Sequence, residues 1–81
     1  MRPINIIAEE IVEDWSTQPS GIHYTARPYL SAMRSLSAIT DRYGQDSALT
    51  VVLYFLANAQ TWRGDVARRV KLELNQMVKE A

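Results

Sequence analysis

The sequence predicts an all-α protein, a compact bundle of four helices with the third helix at its centre. Three observations predict it. The glycines Gly21, Gly44 and Gly64 and the prolines Pro3, Pro19 and Pro28 cut the 81 residues into four segments. Each segment repeats its apolar residues every three or four positions, and none alternates with period two over a useful length. The third segment is apolar on nearly every side, as a helix enclosed by others would be. The expected helices span about 3–16, 25–43, 46–60 and 64–80, all within one domain, 1–81.

Pro3 suits a first helical turn, where its missing N–H costs nothing. Ile4, Ile7, Ile11 and Trp15 then form one apolar stripe, with Ala8 and Val12 beside it and Glu9, Glu10 and Glu13 facing outward. The polar run STQPSG ends this helix. Thr25 can cap the second helix, with Pro28 in its tolerant first turn. Its inner stripe reads Tyr29, Met33, Leu36, Thr40 and Tyr43, and Gly44 stands where a left-handed residue after a helix is wanted. Asp46 or Ser47 can cap the third helix, ALTVVLYFLANA, whose one polar strip is Ser47, Thr50, Tyr54 and Asn58. In the fourth, Val66, Val70, Leu74 and Met77 make the buried stripe, and Arg68, Leu72, Asn75 and Lys79 the outer one. Asp65–Arg69 and Arg69–Glu73 have the spacing of favourable pairs one turn apart, worth about 0.3 kcal/mol each.

Composition narrows the function. There is no cysteine, which excludes disulfides and thiolate metal sites. No apolar run approaches the roughly 20 residues of a membrane span, and the first residues lack a signal-peptide core. A cytoplasmic protein without a membrane role is expected. A domain of this size buries only about 60% of its unfolded surface, so a homo-oligomer is also expected. Net charge is zero but unevenly placed: residues 1–16 carry one cation against four acids, and residues 61–81 carry five cations against three acids. His23 is the single histidine and lies in a loop. The carboxylate pairs Glu9/Glu13 and Glu10/Asp14 lack the Glu-x-x-His partner of di-metal bundles. No phosphate-binding glycine loop, hydrolase elbow or zinc pattern occurs. These absences lead to the expectation of a non-enzyme with no metal and no cofactor.

The candidate binding residues are Trp62, Arg63, Gly64, Arg68, Arg69, Tyr54 and Asn58. The first three sit in QTWRG, where the fourth helix begins. Unpaired N–H groups, a glycine and an arginine make such a helix start a natural anion site. Arg68 or Arg69 could add a second charge, and Trp62 a stacking face. Extending the helix backward puts Arg63 on its core side, where a charge does not stay unpaired. Either Arg63 reaches outward or it pairs internally with Glu10, Glu13 or Asp14. Tyr54 and Asn58 belong to the polar strip of the third helix, which is expected to face a sister subunit or another partner.

The stretches RPYLSAM and YGQDSALTVVLYFLANAQTWRGDVARRVKLELNQM resemble small uncharacterised proteins of tailed phages and prophages, over roughly residues 27–77. The resemblance implies a bacterial host cytoplasm and an accessory role, one context for which is counter-defence. The expected function is a non-catalytic binding protein that takes a host protein or a small anionic, nucleotide-like ligand. The alternative is a DNA-binding regulator, with the third and fourth helices imitating a helix–turn–helix and Arg68, Arg69 and Lys71 on the recognition helix. Asp65, which phosphates would repel, weighs against it. A further alternative is a small structural component of the virion.

Overall fold

A computed structural model describes residues 2–81. It contains helix α1 (Ile4–Trp15), a 3-10 turn (Tyr24–Ala26), helix α2 (Arg27–Met33), strands β1 (Arg42–Tyr43) and β2 (Asp46–Ser47), helix α3 (Ala48–Ala57) and helix α4 (Asp65–Glu80). The protein is mostly helical with four helices, as the periodicity predicts. It is not strictly all-α, because β1 and β2 form a small antiparallel hairpin. No helix among the described residues is long and apolar enough to cross a membrane.

The second helix differs most from expectation. It stops at Met33, ten residues short of Tyr43. Two sets of backbone donors explain the early stop. The first N–H groups of any helix lack intrahelical partners, and Pro3, which precedes α1, provides no side-chain cap. The carbonyls of Ser37 and Leu36 supply the partners instead: Ile4 N–H donates to Ser37 O at 2.8 Å and Asn5 N–H to Leu36 O at 2.9 Å. Those carbonyls would be tied inside α2 if α2 continued. The second set is local. Asp41 Oδ2 accepts from the N–H groups of both Ser37 and Ala38 at 2.9 Å. A short acidic side chain thereby takes donors that a helix would need, and these bonds hold its carboxyl below the usual range. Leu36 of the predicted stripe is still buried, but Thr40 and Tyr43 are exposed. Gly44 does take a positive φ, 62°, but as the first residue of the hairpin loop rather than after a helix.

The third helix is also shorter than expected and is not enclosed. It is capped by Ser47, whose Oγ accepts from Thr50 N–H at 3.1 Å. It buries Ala48, Val51, Val52 and Phe55, while Leu53 is 45% and Tyr54 54% exposed. The helices form a ring: α1 packs on α2 and α4, and α3 packs on the same two. Three aromatic rings fill the middle. Trp15 stacks on Trp62 with centroids 5.7 Å apart and planes at 18°. Phe55 meets both by its edge, at 6.2 Å from Trp15 and 6.5 Å from Trp62. Helix α4 buries Ala67, Val70, Leu74 and Met77 against this core, close to the predicted stripe.

Charge ties α1 to α4. Arg2 lies 2.9 Å from Glu10 and 2.6 Å from Glu73, and Arg69 pairs with Glu10. Arg69 therefore bonds across helices rather than to Asp65 or Glu73, and Glu10 is half-buried in this network instead of facing out. The Arg69 hydrogen bond, opposed by burial, holds the Glu10 carboxyl below its usual value; Arg2 does the same for Glu73.

Two tests follow from this core and network. Phe55→Ala is expected to cost about 3–5 kcal/mol, the range for a fully buried aromatic. That lowers the melting temperature by more than about 12 °C in a domain of this size, whereas Leu53→Ala stays within about 1 kcal/mol. Equal losses in denaturant titrations would contradict the burial assigned to α3. The second test is acid. Carboxylates whose folded pKa is depressed contribute stability above their unfolded pKa and lose it as pH falls through the lower folded value. Stability is expected to decline below about pH 4.5, with the network worth on the order of 1 kcal/mol. Glu10→Gln should flatten that part of the curve when chemical denaturation is repeated across pH.

Candidate functional site

The predicted corner lies where the chain leaves α3 and enters α4. Trp62 is its anchor. Its side chain is wholly buried, and its Nε1–H donates to Asp14 Oδ2 at 2.9 Å. The stack on Trp15 and the edge contact with Phe55 complete its surroundings. A buried indole with its N–H satisfied is a favourable core residue. It presents no face to solvent, so the stacking platform expected of Trp62 is absent.

The residue after Trp62 behaves differently. Gln18, from the loop after α1, holds the Arg63 backbone at two points: its Nε2 donates to Arg63 O at 2.5 Å, and its Oε1 accepts from Arg63 N–H at 3.4 Å. The peptide is held while the residue remains exposed. No carboxylate among the described residues forms an ion pair with its guanidinium. Glu10 is engaged by Arg2 and Arg69, and Asp14 by Trp62. Of the two expectations for Arg63, the outward one describes the structure. Gly64 makes this possible. Its φ of 109° and ψ of −178° turn the chain into α4, a conformation that residues with a Cβ rarely adopt.

Helix α4 starts without a side-chain cap. Its first backbone bond runs from Arg68 N–H to Gly64 O, so the N–H groups of Asp65, Val66 and Ala67 have no protein acceptor. Lys71 folds back over this start. Its Nζ donates to Trp62 O at 2.7 Å and lies 5.8 Å from the centre of the Trp62 ring. Burial lowers its pKa, and the positive charge of Arg63 lowers it further. Neither Lys71 nor Arg63 has a carboxylate bonded to it among the described residues. Arg68 is mostly exposed, with a loose 3.4 Å pair to Asp65 one turn earlier. Arg69 turns toward α1 and stays out of the corner.

Beside the corner lies a cleft of about 320 Å³ between the loop after α1 and the loop after α3, lined by Gln18, Ser20, His23, Thr61 and Arg63 among others. A second cleft, of about 170 Å³, shares His23 and Thr61 and continues to Thr25, Asn58 and Gln60. Neither contains a carboxylate. His23 Nδ1 accepts from Thr25 N–H at 3.2 Å, which leaves Nε2 as the nitrogen without an assigned partner. Asn58 lines the smaller cleft and donates to Tyr54 O at the end of α3. Tyr54 does not line it; its ring is on the outer face, 5.6 Å from that of Tyr29.

The predicted residues thus divide by place. Arg63, Gly64 and Arg68 share the corner, Trp62 and Arg69 are structural neighbours of it, Asn58 reaches the adjoining cleft, and Tyr54 stands apart. Sequence reasoning missed Gln18 and Lys71 at the corner and set aside His23. Lys71 had one readable signal, its place on α4 one turn beyond Arg68. Gln18 and His23 had none, since a loop residue's tertiary partner is not periodic. The α3–α4 link, residues 58–64, is longer than the three or four residues of a helix–turn–helix, and α3 carries no charge to lie along a phosphate backbone. No three His, Asp or Glu side chains among the described residues gather in a way that could hold a metal ion. Comparison with protein-family models, curated proteins and solved structures finds no match for this chain.

Proposed function

We propose that this protein is a non-catalytic binding module that takes an anionic group at the start of α4. The observation that carries this reading is the exposed Arg63, in no ion pair among the described residues, directly before the uncapped N–H groups of α4. Lys71, bonded to the Trp62 carbonyl at 2.7 Å, brings a second cation back to the same helix start, and no carboxylate among the described residues is bonded to either. An anion placed there meets both charges and the positive end of the α4 dipole. Arg68 can swing in from the next turn. The adjoining cleft, about 320 Å³, gives room for more than a bare ion and falls at the lower end of small-molecule sites. His23, Ser20 and Thr61 offer polar groups within it. A small phosphorylated ligand has this chemistry. The resemblance of residues 27–77 to phage-type proteins fits an accessory binding role in a bacterial host and adds no residue to the site.

Titration with pyrophosphate at constant ionic strength, followed by amide and indole NMR shifts, tests the reading. Shifts should cluster at Gly64–Arg68, with the Lys71 ammonium regaining basicity as the ligand binds. Arg63→Ala should weaken binding about tenfold, the loss expected for one charge-assisted contact, while stability stays within about 0.5 kcal/mol of wild type. No shift at millimolar pyrophosphate, or equal binding by Arg63→Ala, would exclude the corner as an anion site.

A further inference from the structure

The outer face of α4 is complementary to itself. Leu72 stands at its middle, 69% exposed, on the side of the helix opposite the buried Val70, Leu74 and Met77. Asp65 and Lys79 lie on the same face, each seven residues from Leu72 and so almost in line with it. Both are exposed. The Asp65 side chain is 96% exposed, with only the loose Arg68 contact, and Lys79 has no ion pair among the described residues. Arg68, Asn75 and Gln76 complete the stripe, all exposed and uncrowded by neighbouring elements. The stripe thus runs from an acid at its N-terminal end, through a leucine, to a lysine at its C-terminal end.

We infer that α4 pairs antiparallel with α4 of a second copy of this chain, about a two-fold axis at Leu72. In that register Leu72 meets Leu72 of the second copy. Asp65 then lies opposite Lys79 of the second copy, and symmetry makes the same bond twice. Arg68 falls opposite Gln76, and Glu80 approaches the uncapped N-terminus of the other α4. The helix dipoles also run antiparallel, so each positive end meets a negative one. A parallel arrangement would set Asp65 against Asp65 and Lys79 against Lys79. A two-fold interface uses one patch on both subunits, and this patch needs no change to match itself. The inference stands apart from the anion reading but bears on it. Asp65 is the one carboxylate at the start of α4, and Lys79 of the second copy pairs with it there, while Glu80 of the second copy competes with an anion for the same helix end.

A single helix face places the contact at the small end of specific interfaces, so the dimer is expected to be weak and salt-sensitive. Sedimentation equilibrium of the whole chain between about 10 and 1,000 µM, at low and high salt, tests it. Asp65→Lys and Lys79→Asp should each weaken the dimer about tenfold, because each sets two like charges face to face. The double variant Asp65→Lys/Lys79→Asp should restore it. Both positions are exposed, and a circular-dichroism melt of each variant checks that the fold is kept. The double variant carries both unfavourable helix-end charges, so restoration cannot come from greater helix stability. A monomer throughout the concentration range would overturn the inference. So would a dimer indifferent to the single changes, or one that the double change fails to restore. A dimer abolished by Leu53→Asp but not by Asp65→Lys would place the contact on α3 and equally refute pairing through α4. Pyrophosphate titration gives a separate answer on the anion, so failure of either reading leaves the other decided on its own data.

Discussion

The stacked pair of Trp15 and Trp62 is the constraint on which the rest of this small fold depends. It joins the end of α1 to the loop between α3 and α4, two parts of the chain 47 residues apart. Phe55 closes the cluster from α3. The Nε1–H of Trp62 can enter this core because Asp14, one residue before Trp15, receives it. A buried indole without that acceptor would carry the cost of an unmade hydrogen bond. The same two neighbouring residues of α1 thus supply both the stacking surface and the polar partner. With few residues available, one such contact does what several helix layers do in a larger domain.

The chemistry of the corner follows from this anchoring. Fixing Trp62 inward forces the chain to turn, and Gly64 makes the turn with a backbone angle unfavourable to residues with a Cβ. Arg63 lies between the two, its backbone held by Gln18 and its charge left outside. The Trp62 carbonyl, presented at the edge of the core, draws Lys71 back over the helix start. Of the acids of α1, Glu10 is engaged by Arg2 and Arg69 and Asp14 by Trp62, while exposed Glu13 pairs with neither cation. A structural need in the core therefore leaves an unbalanced positive corner at the surface.

Much of this was legible in the sequence, and the failures have physical causes. Helices α1 and α4 show clean stripes, and the structure buries Ile4, Ile7, Ile11, Trp15, Val70, Leu74 and Met77 as the spacing requires. Periodicity extends the second helix too far because Leu36 continues its period. Periodicity does not register that Asp41 captures two backbone donors, nor that α1 takes the carbonyls of Leu36 and Ser37. The apolar residues of the third helix predict enclosure, yet burial depends on neighbours, and those around Leu53 and Tyr54 leave both about half exposed. At the site, the conflict between the charge of Arg63 and its core-side helical position leaves two outcomes open in the sequence, an outward reach or an internal pair, and the structure takes the first. The roles of Gln18, His23 and Lys71 required knowing which loops meet.

Hydrogen exchange at the Trp62 indole Nε1–H tests the central claim most directly. Held against Asp14 in the aromatic core, this proton should exchange only when the whole domain unfolds, with a free energy close to that from denaturant titration. Asp14→Ala should speed its exchange strongly. An indole proton that exchanges at the rate of a solvent-exposed tryptophan, with no response to Asp14→Ala, would contradict the account: Trp62 would then be a surface residue, and neither the outward Arg63 nor the folded-back Lys71 would follow.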